Sequence, residues 1–247
     1  MEVRIGTSGY TYRHWWNGVF YPREISPRRW LEYYTRFFDT VELNVTFYRL
    51  PNPKVFYSWE RRTPPGFVFA VKGSRVVTHL KKLKEVEKAL DIFFTNMEIL
   101  KEKAEVVLWQ LPPSFKQSLS SLEEFLSLLE GKGYFKWRHS FEFRHPSWFT
   151  DSTYRLLEKF NVSLCIAHSR VWKYEEVITA DFLYLRFHGG EVLYGSNYSE
   201  EELREWRDKI ISWRENIKAL YAYFNNDYEG FAVKNALRLK ELLNLPG

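Results

Sequence analysis

A handful of polar side chains stand out by where they fall. In VELNV, Glu42 and Asn44 alternate with Val41, Leu43 and Val45. In SFEFR, Ser140, Glu142 and Arg144 alternate with Phe141 and Phe143. In YLRFH, Tyr184, Arg186 and His188 alternate with Leu185 and Phe187. FVFAVK ends in Lys72, IGTSG carries Ser8, and YFNND ends in Asn225, Asn226 and Asp227. A period of two is that of a β-strand, so each polar set lies on one strand face near the strand's end. Ionisable groups in a buried parallel sheet need partners or a cleft. A shared polar pocket is therefore expected rather than scattered surface charges.

Such a pocket could run acid–base chemistry on an anionic substrate. Glu42 and Glu142 would serve as acid and base, as paired carboxylates do in glycoside and ester chemistry, with His188 as proton shuttle. Lys72, Arg144 and Arg186 would neutralise a phosphate or carboxylate, arginine through its bidentate fork. Ser8, Asn44, Tyr48, Asn225, Asn226 and Asp227 would complete the binding surface. The loop His188–Gly190 and the turn before the last helix fit the phosphate position that barrels build after their last two strands. A structural alternative carries equal weight: both glutamates simply pair with the neighbouring cations.

Two further chemistries use overlapping residues. Glu42, Glu142, His188 and Asp227 could hold a divalent ion for nuclease or isomerase chemistry. Three cations in the same pocket would repel it, and no spaced ligand signature is present, so no metal or other cofactor is expected. Nucleic acid could stack on Tyr10, Tyr12, Trp15 and Trp16 and meet the Lys81–Lys84 run. That run reads more simply as the solvated start of a helix.

The elements that would position these residues alternate in type. Strands are expected at 3–6, 40–44, 67–72, 106–110, 139–144, 163–168, 182–188 and 220–225. Between them, Leu83, Val86, Leu90, Phe93, Met97 and Leu100 form one apolar helical stripe. Pro53 starts a helix that Pro64-Pro65-Gly66 stops. Ser199 with Glu202 reads as a capping box, and Ser121 with Glu124 opens another helix. Ala232, Ala236, Leu239 and Leu243 mark a last helix. Eight strand–helix repeats in 247 residues imply α/β architecture: a single (β/α)8 TIM-type barrel over 1–247, irregular after the sixth strand, where SRVWKYEEV is too short for a full helix. A doubly wound open sheet is the alternative.

Bulk properties narrow the setting. A net charge of +5 suits an anionic partner, though scarce glutamine fits a thermophile's surface equally well. The one cysteine, Cys165, excludes an intrachain disulfide and reads as a buried small hydrophobe. No signal peptide or apolar run of membrane-spanning length is present, so a cytoplasmic protein without membrane contacts is expected. Oligomeric state is left open.

The segments IGTSGYTYRHWW, FDTVELNVTFYRLP, FVFAVKGSRVVTH, LWQLPPSF, EFRHPSW, YLRFHG and YFNNDYEGFAVKNA resemble, in order, the motifs of the YecE-like family, domain-of-unknown-function family 72. The resemblance covers almost the whole chain. It implies a (β/α)8 barrel and marks most of the positions named above, together with Gly6, Thr46, Gln110 and His145. It supplies no reaction. The function expected from the residues is binding and hydrolysis, or another acid–base transformation, of a phosphate- or carboxylate-bearing substrate. The alternatives are a nucleic-acid-binding protein or a metal-dependent barrel.

Overall fold

The computed structural model describes residues 1–190 and 192–244. Eight strands pair in parallel: β1 (Glu2–Thr7), β2 (Thr40–Leu43), β3 (Val68–Lys72), β4 (Ala104–Gln110), β5 (Arg138–Glu142), β6 (Ser163–His168), β7 (Phe182–Phe187) and β8 (Ala219–Phe224). Each lies beside its neighbour in sequence, and β8 pairs with β1. A bridge between Ser8 and Glu42 joins β1 to β2 and closes the ring. That junction needs a glycine: a Cβ on Gly6 would stand 2.4 Å from the Thr40 carbonyl oxygen. All eight expected strands are present, with ends within two residues of those read from sequence.

The helices are α1 (Trp30–Tyr34), α2 (Val45–Tyr48), α3 (Pro53–Arg62), α4 (Glu87–Met97), α5 (Leu119–Gly131), α6 (Asp151–Lys159), α7 (Glu200–Trp213) and α8 (Phe231–Leu242). α3 has proline in its first turn, and the Asn52 side chain caps it. α7 carries the full Ser199–Glu202 capping box. Among the described residues no helix lies between β6 and β7, as the short connection requires.

Two local expectations fail. α5 begins one turn before the Ser121–Glu124 pair; Ser118 takes the cap position, and Ser121 lies inside the first turn with its hydroxyl on that of Ser118. Starting at Leu119 aligns Leu122, Phe125, Leu126 and Leu129 into the buried stripe. Lys81–Lys84 is not a helix start. It lies between a one-turn π-helix (Val76–Leu80) and α4, with Lys82, Leu83 and Glu85 at positive φ. Leu83 and Val86 are both buried there, and an irregular path delivers them to the core.

The alternating strand faces divide the core. Outward residues such as Val41, Phe69, Val107, Phe141, Leu185 and Leu220 pack under the helices. Inward residues form a smaller core inside the barrel, including Ala70, Leu108, Cys165, Tyr184, Tyr221 and Tyr223. Burial holds the Cys165 thiol well above its ordinary pKa, which makes it inert packing.

Candidate functional site

The C-terminal ends of the strands carry a layer of charge on top of that inner core. At its centre is Arg186 of β7, with 2% of its surface exposed. Nη1 donates to Glu142 Oε2 at 2.7 Å. Nη2 donates to Glu42 Oε1 at 2.7 Å and to Ser8 Oγ at 2.9 Å. Glu42 also accepts from the Ser8 hydroxyl through Oε1 and from Tyr184 through Oε2, the latter at 2.7 Å. Asn44 Nδ2 donates to Ser8 Oγ at 2.8 Å. The remaining oxygen of Glu142 pairs with Arg144, whose guanidinium lies 3.5 Å from the centre of the Trp172 ring.

Strand geometry produces this arrangement. Glu42, Glu142 and Arg186 are inward positions on three separate strands, and barrel closure turns them toward one axis. Both glutamates are fully buried, which alone would raise their pKa values. Arg186, with Lys72 for Glu42 and Arg144 for Glu142, outweighs that penalty and holds both carboxyls below their ordinary value, Glu142 well below. Both are therefore ionised at neutral pH.

His188 sits beside this cluster. Its Nδ1 is 3.1 Å from Asn225 Nδ2 and its Nε2 is 3.3 Å from Arg144 Nη2. Burial pushes its pKa down to about 3, so the ring is neutral at pH 7.

Lys72 ends β3 and is 8% exposed. Its ammonium lies 4.4 Å from the centre of the Phe47 ring. No carboxylate stands within ion-pair distance of it among the described residues. Burial, then repulsion by Arg186, lower its pKa to about 8 against the pull of both glutamates.

Above the charged layer opens a cavity of about 490 Å³ whose walls include Lys72, Arg144, Arg186, Asn225, Asp227 and Asn44. Tyr48 stands on its rim, 71% exposed. Asp227 Oδ2 pairs with His14 Nε2 at 3.1 Å, and burial raises its pKa.

Of the residues singled out from sequence, Asn226 is turned away. It is buried, and its amide donates to the Ser196 carbonyl and to Asn235 Oδ1, tying the β7–α7 loop to α8. Its neighbours Asn225 and Asp227 face the cavity because alternate residues leaving a strand face opposite sides. Ser8 lies within the ionic layer rather than on the cavity wall. Trp15 is fully buried with its indole N–H on the Asp227 carbonyl, so it offers no stacking face.

The structure adds residues that sequence reasoning did not select. His14 reaches Asp227 from the β1–α1 loop. His79 lines the cavity from the turn Val76–Leu80, and burial followed by repulsion from Lys72 lowers its pKa to about 4. Tyr194 also lines it, as does Tyr12, which the sequence had offered only as a stacking ring. Among the described residues, no three His, Cys, Asp or Glu side chains converge as metal ligands would. No described helix is long and apolar enough to cross a membrane.

Known proteins share this architecture. A DUF72 family protein from Thermotoga maritima is 33% identical and superposes with a TM-score of 0.87 over 99% of this chain and 100% of its own. A DUF72 family protein from Enterococcus faecalis, 18% identical, superposes with a TM-score of 0.84 over 99% of this chain and 96% of its own. The UPF0759 protein YunF of Bacillus subtilis is 25% identical over 264 residues, covering 91% of this chain and 90% of that one. The UPF0759 protein YecE of Escherichia coli is 33% identical over 120 residues, covering 48% of this chain and 43% of that one. The match to the family described as "Protein of unknown function DUF72" runs over residues 4–247, and the chain belongs to that family.

Proposed function

We propose that the mouth of the barrel binds a small substrate through its phosphate or carboxylate and transforms it by acid–base chemistry, hydrolysis included. The observation that carries this reading is Lys72. Among the described residues, three cations, Lys72, Arg144 and Arg186, meet two carboxylates, Glu42 and Glu142, in the ionic layer, while Asp227 on the cavity wall is paired with His14. The surplus charge is nearly buried and faces a cavity. An unpaired buried cation is costly, and an anion is the ligand that relieves it.

The same geometry redistributes the roles expected from sequence. Glu42 and Glu142 are held ionised by their arginines, so they position Arg186 and Arg144 rather than carry protons. His188 is neutral and braces Arg144 and Asn225. The groups moved toward neutral pH are Lys72, lowered to about 8, and Asp227, raised from its ordinary value. Groups of opposite type pushed toward each other in pKa are suited to exchange protons with a substrate.

Calorimetric titration of the protein with inorganic phosphate and with pyruvate tests the reading. At least one anion should bind, more weakly as the pH rises through 8 and more weakly to Lys72→Met. Equal affinity in the wild type and in Lys72→Met would refute it.

A further inference from the structure

Lys72 has the surroundings of a nucleophile as well as those of an anchor. Its root is fixed: the Lys72 carbonyl accepts from Thr46 Oγ1 at 2.6 Å. Its ammonium lies against the Phe47 ring on one side and borders the cavity on the other. The charged and titratable groups around it are Glu42 of β2, Glu142 of β5, Arg144 just past the end of β5, Arg186 of β7, and His79 of the turn after β3. Both carboxylates are already bound to guanidinium groups. Desolvation beside other cations is a way proteins keep a lysine amine neutral and reactive. At a pKa of about 8, about a tenth of the amine is neutral at pH 7, against far less than one percent for an ordinary lysine.

We infer that Lys72 is an amine nucleophile whose Nζ captures the carbonyl carbon of a small carboxylate- or phosphate-bearing carbonyl compound as a Schiff base. This rests on the anionic-substrate reading and extends it to a covalent step. Arg144 and Arg186 hold the anionic group, and a carbonyl carbon a few bonds away meets Nζ. Neutral Nζ adds to that carbon, forming the C–N bond as the carbonyl π electrons move to oxygen. The Asp227 carboxylate, which borders the same cavity, takes an N–H proton of the adduct and passes it to that oxygen. A proton from solvent then reaches Asp227 through the cavity. Asp227 then protonates the hydroxyl, which leaves as water while the nitrogen lone pair closes the C=N bond. One water is released, and no oxidant or reductant is needed.

The test is reductive trapping. The full chain is incubated with pyruvate, and in parallel with dihydroxyacetone phosphate, in the presence of cyanoborohydride, and the products are mapped by peptide mass. One reduced adduct should form at Lys72, on the order of a hundredfold faster than at exposed lysines, and be lost in Lys72→Met. Trapping with pyruvate alone assigns a carboxylate substrate, and with dihydroxyacetone phosphate alone a phosphate; either supports the inference. Adducts spread over surface lysines at the same rate as Lys72, or no adduct with either probe, would overturn it. Calorimetry on the same preparation separates the two readings, because anion binding without trapping refutes the covalent step alone.

Discussion

Replacing Lys72 by methionine should make the protein more stable. The substitution keeps an unbranched side chain and removes a charge that folding desolvates. The amine's pKa falls from 10.5 to about 8. That difference, about 2.5 units at about 1.4 kcal/mol each, amounts to about 3 kcal/mol lost by keeping the amine charged in the fold at pH 7. The ammonium over Phe47 returns about 1 kcal/mol. Lys72→Met should therefore gain about 2 kcal/mol at pH 7, which in a chain of this size raises Tm by about 4–8 °C.

The pH dependence has a definite sign. The folded pKa lies below the unfolded one, so the penalty is complete below pH 8 and vanishes above the unfolded value of 10.5. At pH 10 only about 1 kcal/mol of it remains. Urea unfolding followed by tryptophan fluorescence, run on both proteins at pH 7 and pH 10, measures the gap and its closure. Other titrating groups cancel in the difference. A variant that is less stable at pH 7, by an amount that does not change at pH 10, would refute the reasoning.

Arg186→Met should have the opposite effect. It leaves Glu42 and Glu142 buried without their shared cation, at a cost of about 3–5 kcal/mol by urea unfolding. Adding Glu42→Gln and Glu142→Gln should recover most of the loss; no recovery would count against the ion-pair account. The His188 ring should stay neutral and show no NMR titration between pH 5 and 8, because burial lowers its pKa to about 3. The unfolded chain's histidine takes a proton below about 6.5, so this group erodes stability as the pH falls from there. An inflection at its ordinary value would contradict the burial argument. Asn226→Ala should lower stability by about 1–3 kcal/mol through its lost bonds to Ser196 and Asn235 while leaving phosphate affinity unchanged; a loss of affinity would return Asn226 to the cavity.

The fold was legible because strand alternation and strand-end chemistry are local signals. Glu42 with Asn44, and Glu142 with Arg144, declared a polar face two residues at a time. The missing helix after β6 could be read from the length of the connection alone. The same periodicity also separates Asn226 from Asn225 and Asp227, and reading YFNND as one polar cluster overlooked it. That both glutamates pair with neighbouring cations was one of two equal readings; that Arg186 bridges the two of them was not legible. It depends on barrel closure across three strands, and sequence spacing carries no measure of distance across a barrel. His14 and His79 arrive from irregular segments, where no period assigns a direction. The lysines of the Lys81–Lys84 run are exposed as expected, but the run is no helix start, because burial of Leu83 and Val86 decides the path.

The ionic layer poses a question that its own energetics help to answer. A buried arginine between two carboxylates is rarely more stabilising than apolar side chains of similar volume, so stability alone does not account for it. A structural layer would also be expected to balance its charges. Among the described residues, two arginines pair with both glutamates and Lys72 remains as the surplus of the layer. The opposite signs expected for Lys72→Met and Arg186→Met separate the two accounts. If the layer only holds the barrel together, removing either cation weakens the fold. If the layer exists to present Lys72 to a ligand, removing Arg186 weakens the fold, and removing Lys72 strengthens it while weakening the grip on the anion. A lysine whose loss stabilises the protein is being kept for something other than stability.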